Sequence, residues 1–304
     1  MRLSLPTKLP VPLRLLKERY FGEASRNPWV ARNKLAGLIA RLPPEVAAIV
    51  SDAVPALMAY QDADHALLYL DRIGRYAGGR LDPVIFADLA RRMRARMLYE
   101  DPPAIAHDLL IRAGGEAARP DPSLGATVRT FRWAELAAIL PAETATSLIR
   151  MLDRLRWSDK IKELRFSAAT PGDLRWLRFW SAVRQARPYS LRFAQERMWV
   201  ERWLHMIDRG MAKDPAAAAA IVETADLVEG YGMPCKVGLM KWNCIVDTLI
   251  KPICDGAVAI PNLGAAVRRA HRVARDNPSL DDLRGEIALI IADGATVAPA
   301  AALH

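Results

Sequence analysis

Five times along this chain a residue with a short side-chain oxygen stands directly before a proline: Asn27-Pro28, Asp82-Pro83, Asp101-Pro102, Thr170-Pro171 and Asp214-Pro215. Such a pair is a helix start. The oxygen at the N-cap accepts a hydrogen bond from a first-turn N–H that has no partner in the helix. The proline at N1 has no N–H to lose, and its φ is already helical. Apolar residues at three- and four-residue steps follow these starts, the spacing of one buried helical face. The pattern predicts an all-α protein, an array of helical hairpins. Helices are expected near 28–41, 44–60, 62–77, 83–99, 102–113, 133–140, 141–156, 171–186, 190–211, 215–229, 236–254 and 261–275. Residues 114–130, rich in Gly, Pro and polar side chains, read as the longest loop. Leu164-Arg165-Phe166 is the one stretch that reads as extended.

The ends differ from the middle. Pro6, Pro10 and Pro12 are too close together for a regular helix before about Leu13, so residues 1–26 read as an extended arm. Residues 27–256 read as the helical domain, and 257–304 as a C-terminal helix and tail. Within the domain, Met58-Ala59-Tyr60-Gln61-Asp62 is echoed by Met97-Leu98-Tyr99-Glu100-Asp101. In each copy the tyrosine closes one helix and the aspartate can cap the next, as at two equivalent corners of helical hairpins.

Several function classes are disfavoured by the residues themselves. The apolar runs near Ala216–Val222 and Ile287–Ala292 fall far short of the roughly 20 residues of a membrane span. No secretory pattern is visible, and three cysteines do not make a disulfide framework, so a reducing cytoplasm is the expected compartment. Cys235, Cys244 and Cys254 are nine and ten residues apart, not at the short spacing with which neighbouring thiolates grip a metal, and no metal site is expected. The five histidines, His65, His107, His205, His271 and His304, form no ligand or acid–base pattern. The formal charge of +9 is carried largely by arginine. The runs Arg91–Arg96 and Arg268–Arg275 wrap around more than one helix face. They read as solvated faces or a protein interface rather than a nucleic-acid groove.

Two constellations remain. Tyr60, Asp62, Tyr99, Glu100 and Asp101 could do acid–base chemistry, yet helix caps use the same residue types. Trp176 with Trp180, and Trp199 with Trp203, are i, i+4 pairs that meet over one helical turn. They read either as a core seam or as an interface anchor. No catalytic residue is assigned.

The order of features between about 45 and 255 resembles the C-terminal helical domain, of unassigned function, of the indolepyruvate ferredoxin oxidoreductase subunit beta family. The resemblance is carried by Tyr60-Gln61-Asp62, Ala66, Tyr69-Leu70-Asp71-Arg72 and Tyr99-Glu100-Asp101. It continues in Arg192, Glu196, Glu201-Arg202-Trp203, Gly230-Tyr231-Gly232, Gly238 and Asn243. It implies association with an enzyme that decarboxylates aryl pyruvates with thiamine diphosphate and Mg, takes up coenzyme A, and passes electrons through [4Fe–4S] clusters to ferredoxin. Those cofactors would belong to partner subunits and none to this chain, and ferredoxin would be met only indirectly. The sequence departs from the family's pattern around the Gly-Tyr-Gly corner. Glu229, Met233-Pro234-Cys235 and Val237 stand where relatives carry charged and hydrogen-bonding groups. The expectation is a non-catalytic scaffold docked on the catalytic subunits. The alternative is a stand-alone helical protein that uses its basic surface on nucleic acid or an acidic partner.

Overall fold

The computed structural model of the chain describes residues 28–277 and 279–297. The expected arm at 1–26, its prolines and His304 lie outside the described residues. Among the described residues 73% are helical and there is one small two-stranded sheet, so the all-α expectation holds. It divides into two compact units, Met1–Arg94 and Ala95–His304.

In the first unit, α1 (Pro28–Ile39), α2 (Pro44–Tyr60), α3 (Ala63–Gly74) and most of α4 (Pro83–Met97) are joined by short corners. Asp62 caps α3, accepting from the His65 N–H at 3.0 Å. Asp82 accepts from the Val84 N–H at 2.9 Å at the start of α4. Val50, Leu57, Leu70, Ile73 and Met93 are fully buried, and the buried Tyr69 hydroxyl donates to the Ala90 carbonyl at 3.2 Å. On α4, Arg91, Arg92 and Arg94 pair with Glu45, Asp88 and Asp52, as expected of a solvated face.

The second unit opens with α5 (Pro102–Arg112), capped by Asp101, which accepts from the Ala104 N–H at 2.8 Å. Then come β1 (Ala126–Arg132), α6 (Trp133–Ala137), α7 (Ala142–Arg154), β2 (Ile161–Ser167) and α8 (Pro171–Val183). The strands pair antiparallel from Ala126↔Ser167 to Arg132↔Ile161. β1 corrects the sequence reading, which ran the loop through residue 130. Thr127-Val128-Arg129-Thr130-Phe131 is β-branched and alternating, but the Gly- and Pro-rich residues just before it masked the signal. A lone pair of strands is marginal in water, and this one is held by packing. Phe131 and Phe166 enter a core made by Ile105 and Leu109 of α5 and Leu174 and Leu177 of α8. Thr170 and Asp173 complete a reciprocal capping box at the start of α8.

The remaining helices are α9 (Leu191–Lys213), α10 (Ala217–Glu223), α11 (Gly232–Ile245), α12 (Lys251–Cys254), α13 (Leu263–Asp276) and α14 (Leu280–Val297). Ser190 caps α9, accepting from the Phe193 N–H at 3.1 Å. Asp214-Pro215 starts a turn rather than a helix. The Asp214 carboxylate accepts from the Ala216 and Gly264 N–H groups, so α10 begins only at Ala217 and ties to the first turn of α13. The helix expected at 236–254 begins four residues earlier and widens to a π turn at Val246–Ile250 just before Pro252, which has no N–H to give to the preceding turn. Trp203 and Trp242 are fully buried here. Trp203 Nε1 donates to the Ile221 carbonyl at 3.1 Å and Trp242 Nε1 to Thr224 Oγ1 at 3.2 Å. Residues from 257 onward contribute α13, packed on α10, and α14, packed on α13 and α11; a helix at 280–297 was not expected.

Candidate functional site

The Gly-Tyr-Gly corner is built by backbone geometry. Gly230 and Gly232 have φ of 69° and 77°, left-handed values that side chains disfavour, with the extended Tyr231 between them. α11 begins at the second glycine. Its first N–H, that of Gly232, donates to Glu135 Oε1 of α6 at 2.7 Å, so a carboxylate from another element caps this positive helix end. Gly238 follows two turns on. A Cβ there would lie 1.7 Å from the Leu227 carbonyl oxygen, and its absence lets α11 close against residues 227–228. The Tyr231 ring stacks on Phe131 with centroids 5.0 Å apart. Burial, followed by the Glu100 carboxylate, pushes the Tyr231 hydroxyl above the usual tyrosine range.

Beside this corner α9, α11 and α6 line a half-open cleft of about 630 Å3. Its lining includes Arg192, Glu196, Trp199, Arg202 and Asn243, five residues that sequence reasoning singled out. Every cation on its wall has an acidic partner. Glu196, buried, accepts from Arg96 Nη2 and forms an ion pair with Arg192 Nη2 at 2.7 Å. Arg132 meets Glu135 at 3.3 Å and Asp159 at 3.1 Å, and Lys236 meets Asp159 at 2.6 Å. Arg202 pairs with Asp247 and donates to Asn243 Oδ1 at 2.6 Å. The hydrogen bond from Lys236, with that from Arg132 behind it, holds the Asp159 carboxyl below its usual value. Burial opposes the charge on Arg192, but Glu196 and the neighbouring Cys235 and Tyr99 outweigh it and hold the guanidinium above the usual arginine value.

The aromatic faces join the same network. The guanidinium of Arg96 lies 4.8 Å from the centroid of Trp199, that of Arg202 lies 5.3 Å from Trp242, and that of Arg192 lies 5.3 Å from Tyr99. Tyr99 is buried, and burial with the Asp101 charge holds its hydroxyl protonated far above the usual range. Asp101 has a second duty. Both its oxygens accept from Arg187, at 2.9 and 2.8 Å, in a pair whose arginine is only 2% exposed.

The expected residues thus separate. Tyr99, Asp101, Arg192, Glu196, Arg202, Asn243 and the 230–238 corner belong to the second unit and to one web of contacts. Tyr60 and Asp62 belong to the first unit, where the Tyr60 ring lies 5.7 Å from His65 at the α2–α3 corner. Glu201 is exposed on α9. Trp199 and Trp203 stack at 5.8 Å inside the core, while Trp176, 41% exposed, stacks on Phe179 at 5.7 Å at the surface. Of the four tryptophans read as an interface, only the pair on α8 reaches solvent.

Sequence reasoning missed Arg96, Glu135, Arg187, Lys236 and Lys241. Arg96 ends a run read as solvated, yet it is buried and also donates to the Val228 carbonyl. Lys241, buried on α11, donates to the Ala274 and Asn277 carbonyls at 2.6 and 2.7 Å and closes the C-terminus of α13. Among the described residues no group of three His, Cys, Asp or Glu side chains could hold a metal ion.

A second surface of the unit is apolar. α6 and α7 flank a groove of about 390 Å3. Met151 (49% exposed), Leu155 (54%) and Trp157 (45%) stand in it with Trp133 and Leu140.

A helical frame whose second unit is bound together by buried ion pairs defines a helical domain. Residues 46–248, about two thirds of the chain, match the family of unknown function DUF6537, and the chain belongs to that family. No curated protein and no solved structure matches it.

Proposed function

We propose that this chain is a non-catalytic helical scaffold that docks onto the catalytic subunits of a thiamine-diphosphate-dependent aryl-pyruvate ferredoxin oxidoreductase. The identity of that enzyme rests on the resemblance in residues 45–255. The scaffold role rests on one observation: the polar residues that carry the resemblance in the second unit are occupied in holding helices together. Asp101 caps α5 and clamps Arg187. Glu196 binds Arg192 and Arg96, and Arg202 is held by Asn243 and Asp247. A general acid, base or ligand needs a free valence towards substrate. The carboxylates Asp101 and Glu196 spend theirs on arginines of the same unit. By the resemblance, thiamine diphosphate, Mg and the [4Fe–4S] clusters would belong to the partner subunits.

The test is affinity purification of the full chain from its native cells, with mass spectrometry and iron and thiamine analysis of the eluate. Co-elution of a large subunit with iron and thiamine diphosphate is expected. A chain that elutes alone, without iron or thiamine, overturns the proposal.

A further inference from the structure

On the wall of the cleft beside the Gly-Tyr-Gly corner, two guanidiniums share one carboxylate. Arg96 and Glu196 are buried, and the Arg192 side chain is only 17% exposed. Glu196 meets both arginines, and among the described residues neither arginine meets a second carboxylate. The other three cations of the wall, Arg132, Arg202 and Lys236, stand against three carboxylates, Glu135, Asp159 and Asp247. The wall with its direct partners therefore carries one positive charge too many, and the surplus sits in the buried Arg96–Glu196–Arg192 triad.

The unmet hydrogen bonds have the same sense. Arg96 Nε, Arg132 Nε and Trp199 Nε1 are buried nitrogens of residues that line the cleft, and no acceptor among the described residues takes them. All three are donors. Buried donors without a partner are rare in folded proteins, and three on one wall call for an acceptor. Uncharged groups are already engaged with the two arginines of the triad: the Val228 carbonyl and the Trp199 ring with Arg96, and the Tyr99 ring with Arg192. What the wall still lacks is one negative charge and acceptor atoms.

The rest of the wall selects the body of the ligand. Trp199 is engaged by the Arg96 guanidinium and by Trp203, and Trp242 by Arg202. A flat ring would have to displace one of these to stack. Ala134, Ala138, Ile149, Met198 and Leu239 complete the apolar wall, and none of them is aromatic. A volume of about 630 Å3 lies within the range of small-molecule sites. A phosphate ester, with a charge of about −1.5 to −2 at neutral pH, would overshoot the single surplus charge. The geometry points to a binding site for an aliphatic monocarboxylate, with its head on the Arg96–Arg192 side and its chain along Met198 and Leu239. Holding such a ligand requires no proton transfer, so the site goes beyond the scaffold reading and does not rest on it.

The probe is sodium decanoate, titrated below its micelle concentration into the full chain and read by calorimetry. One molecule per chain should bind, with a dissociation constant below about 1 mM. Acetate has the head alone, and decylammonium has the chain with the opposite charge. Each should bind at least about tenfold more weakly. Met198→Glu, at a site 69% exposed, puts a negative charge on the wall. It should weaken decanoate at least about fivefold with an unchanged melting temperature. Glu196→Gln leaves the two arginines without their counter-charge and should lower the melting temperature. Decanoate should bind this variant more tightly than the native chain and raise its melting temperature further.

No saturable binding overturns the inference, as does acetate or decylammonium binding as tightly as decanoate. An unaltered affinity in Met198→Glu overturns it by placing decanoate elsewhere. Tighter binding of naphthylacetate or of inorganic phosphate overturns it by moving the ligand to an aryl or phosphate class. So does a folded Glu196→Gln chain that binds decanoate more weakly; where that variant does not fold, Met198→Glu decides. None of these outcomes bears on co-elution with the oxidoreductase, so the docking proposal stands or falls by its own test.

Discussion

Asp101→Asn removes one charge and little volume, and it separates two duties of a single carboxylate. The capping duty survives, because asparagine serves at an N-cap about as well as aspartate. The pairing duty does not. Arg187 is 2% exposed and makes two charge-assisted bonds to Asp101. Breaking a buried pair from one side costs about 3–5 kcal/mol, because the remaining ion is left without its counter-charge. An amide oxygen still accepts one of the two bonds, so the expected loss lies near the lower bound, about 3 kcal/mol. With a urea m-value on the order of 2–3 kcal/mol/M, the midpoint of the second unit should fall by roughly 1–1.5 M. Tryptophan emission reports it, since Trp199, Trp203 and Trp242 lie in that unit's core. Asp62→Asn in the first unit, where the side chain caps α3, should shift stability by less than about 0.5 kcal/mol. Adding Arg187→Met to Asp101→Asn should recover part of the loss, since the buried charge is then gone. If Asp101→Asn costs no more than Asp62→Asn, or Arg187→Met makes it worse, the clamp argument is refuted.

Three further outcomes are expected. Gly238→Ala drives a Cβ into the Leu227 carbonyl and should cost at least about 3 kcal/mol or abolish soluble expression, while Gly37→Ala on the exposed face of α1 meets nothing within 4 Å and should gain about 0.5–1 kcal/mol; urea titration of each variant decides both signs. Burial, aided by the charges of Arg184 and Arg187, holds the His107 pKa below its ordinary value. The unfolded chain therefore binds the extra proton first, and stability contributed by neutral His107 is lost as pH falls through about 6.5. Urea midpoints at pH 7.5 and 5.5 should show a smaller acid loss in His107→Gln than in the native chain. Arg156→Gly should raise stability by about 0.5–1 kcal/mol by removing the strain at φ 55°, read as a higher melting temperature.

The sequence made the fold legible wherever a helix start is a local chemical event. Thr170, Asp62 and Asp101 cap where expected, because a side-chain oxygen and the N–H groups that donate to it lie within one turn. The failures have non-local causes. Asp214 was diverted to a turn because the Gly264 N–H, fifty residues on, shares its carboxylate. β1 needed a partner strand from beyond two helices before Phe131 had a core to enter. The site was legible as a set of positions but not as a web. Arg192 and Glu196 are an obvious i, i+4 pair, whereas Arg96 on Glu196 and Glu135 on Gly232 join residues about a hundred apart.

Charge and apolar surface are distributed against the usual sense in the second unit. Arg96, Arg187, Arg192 and Lys241, side chains that usually face water, are spent inward on carboxylates and helix-end carbonyls. Meanwhile Met151, Leu155, Trp157, Trp176 and Phe179, which could have filled a core, stand in solvent. Stability alone would favour the opposite exchange, since a buried ion pair is often matched by apolar residues of the same volume. Directional pairs of this kind instead hold the helices of the unit in one register.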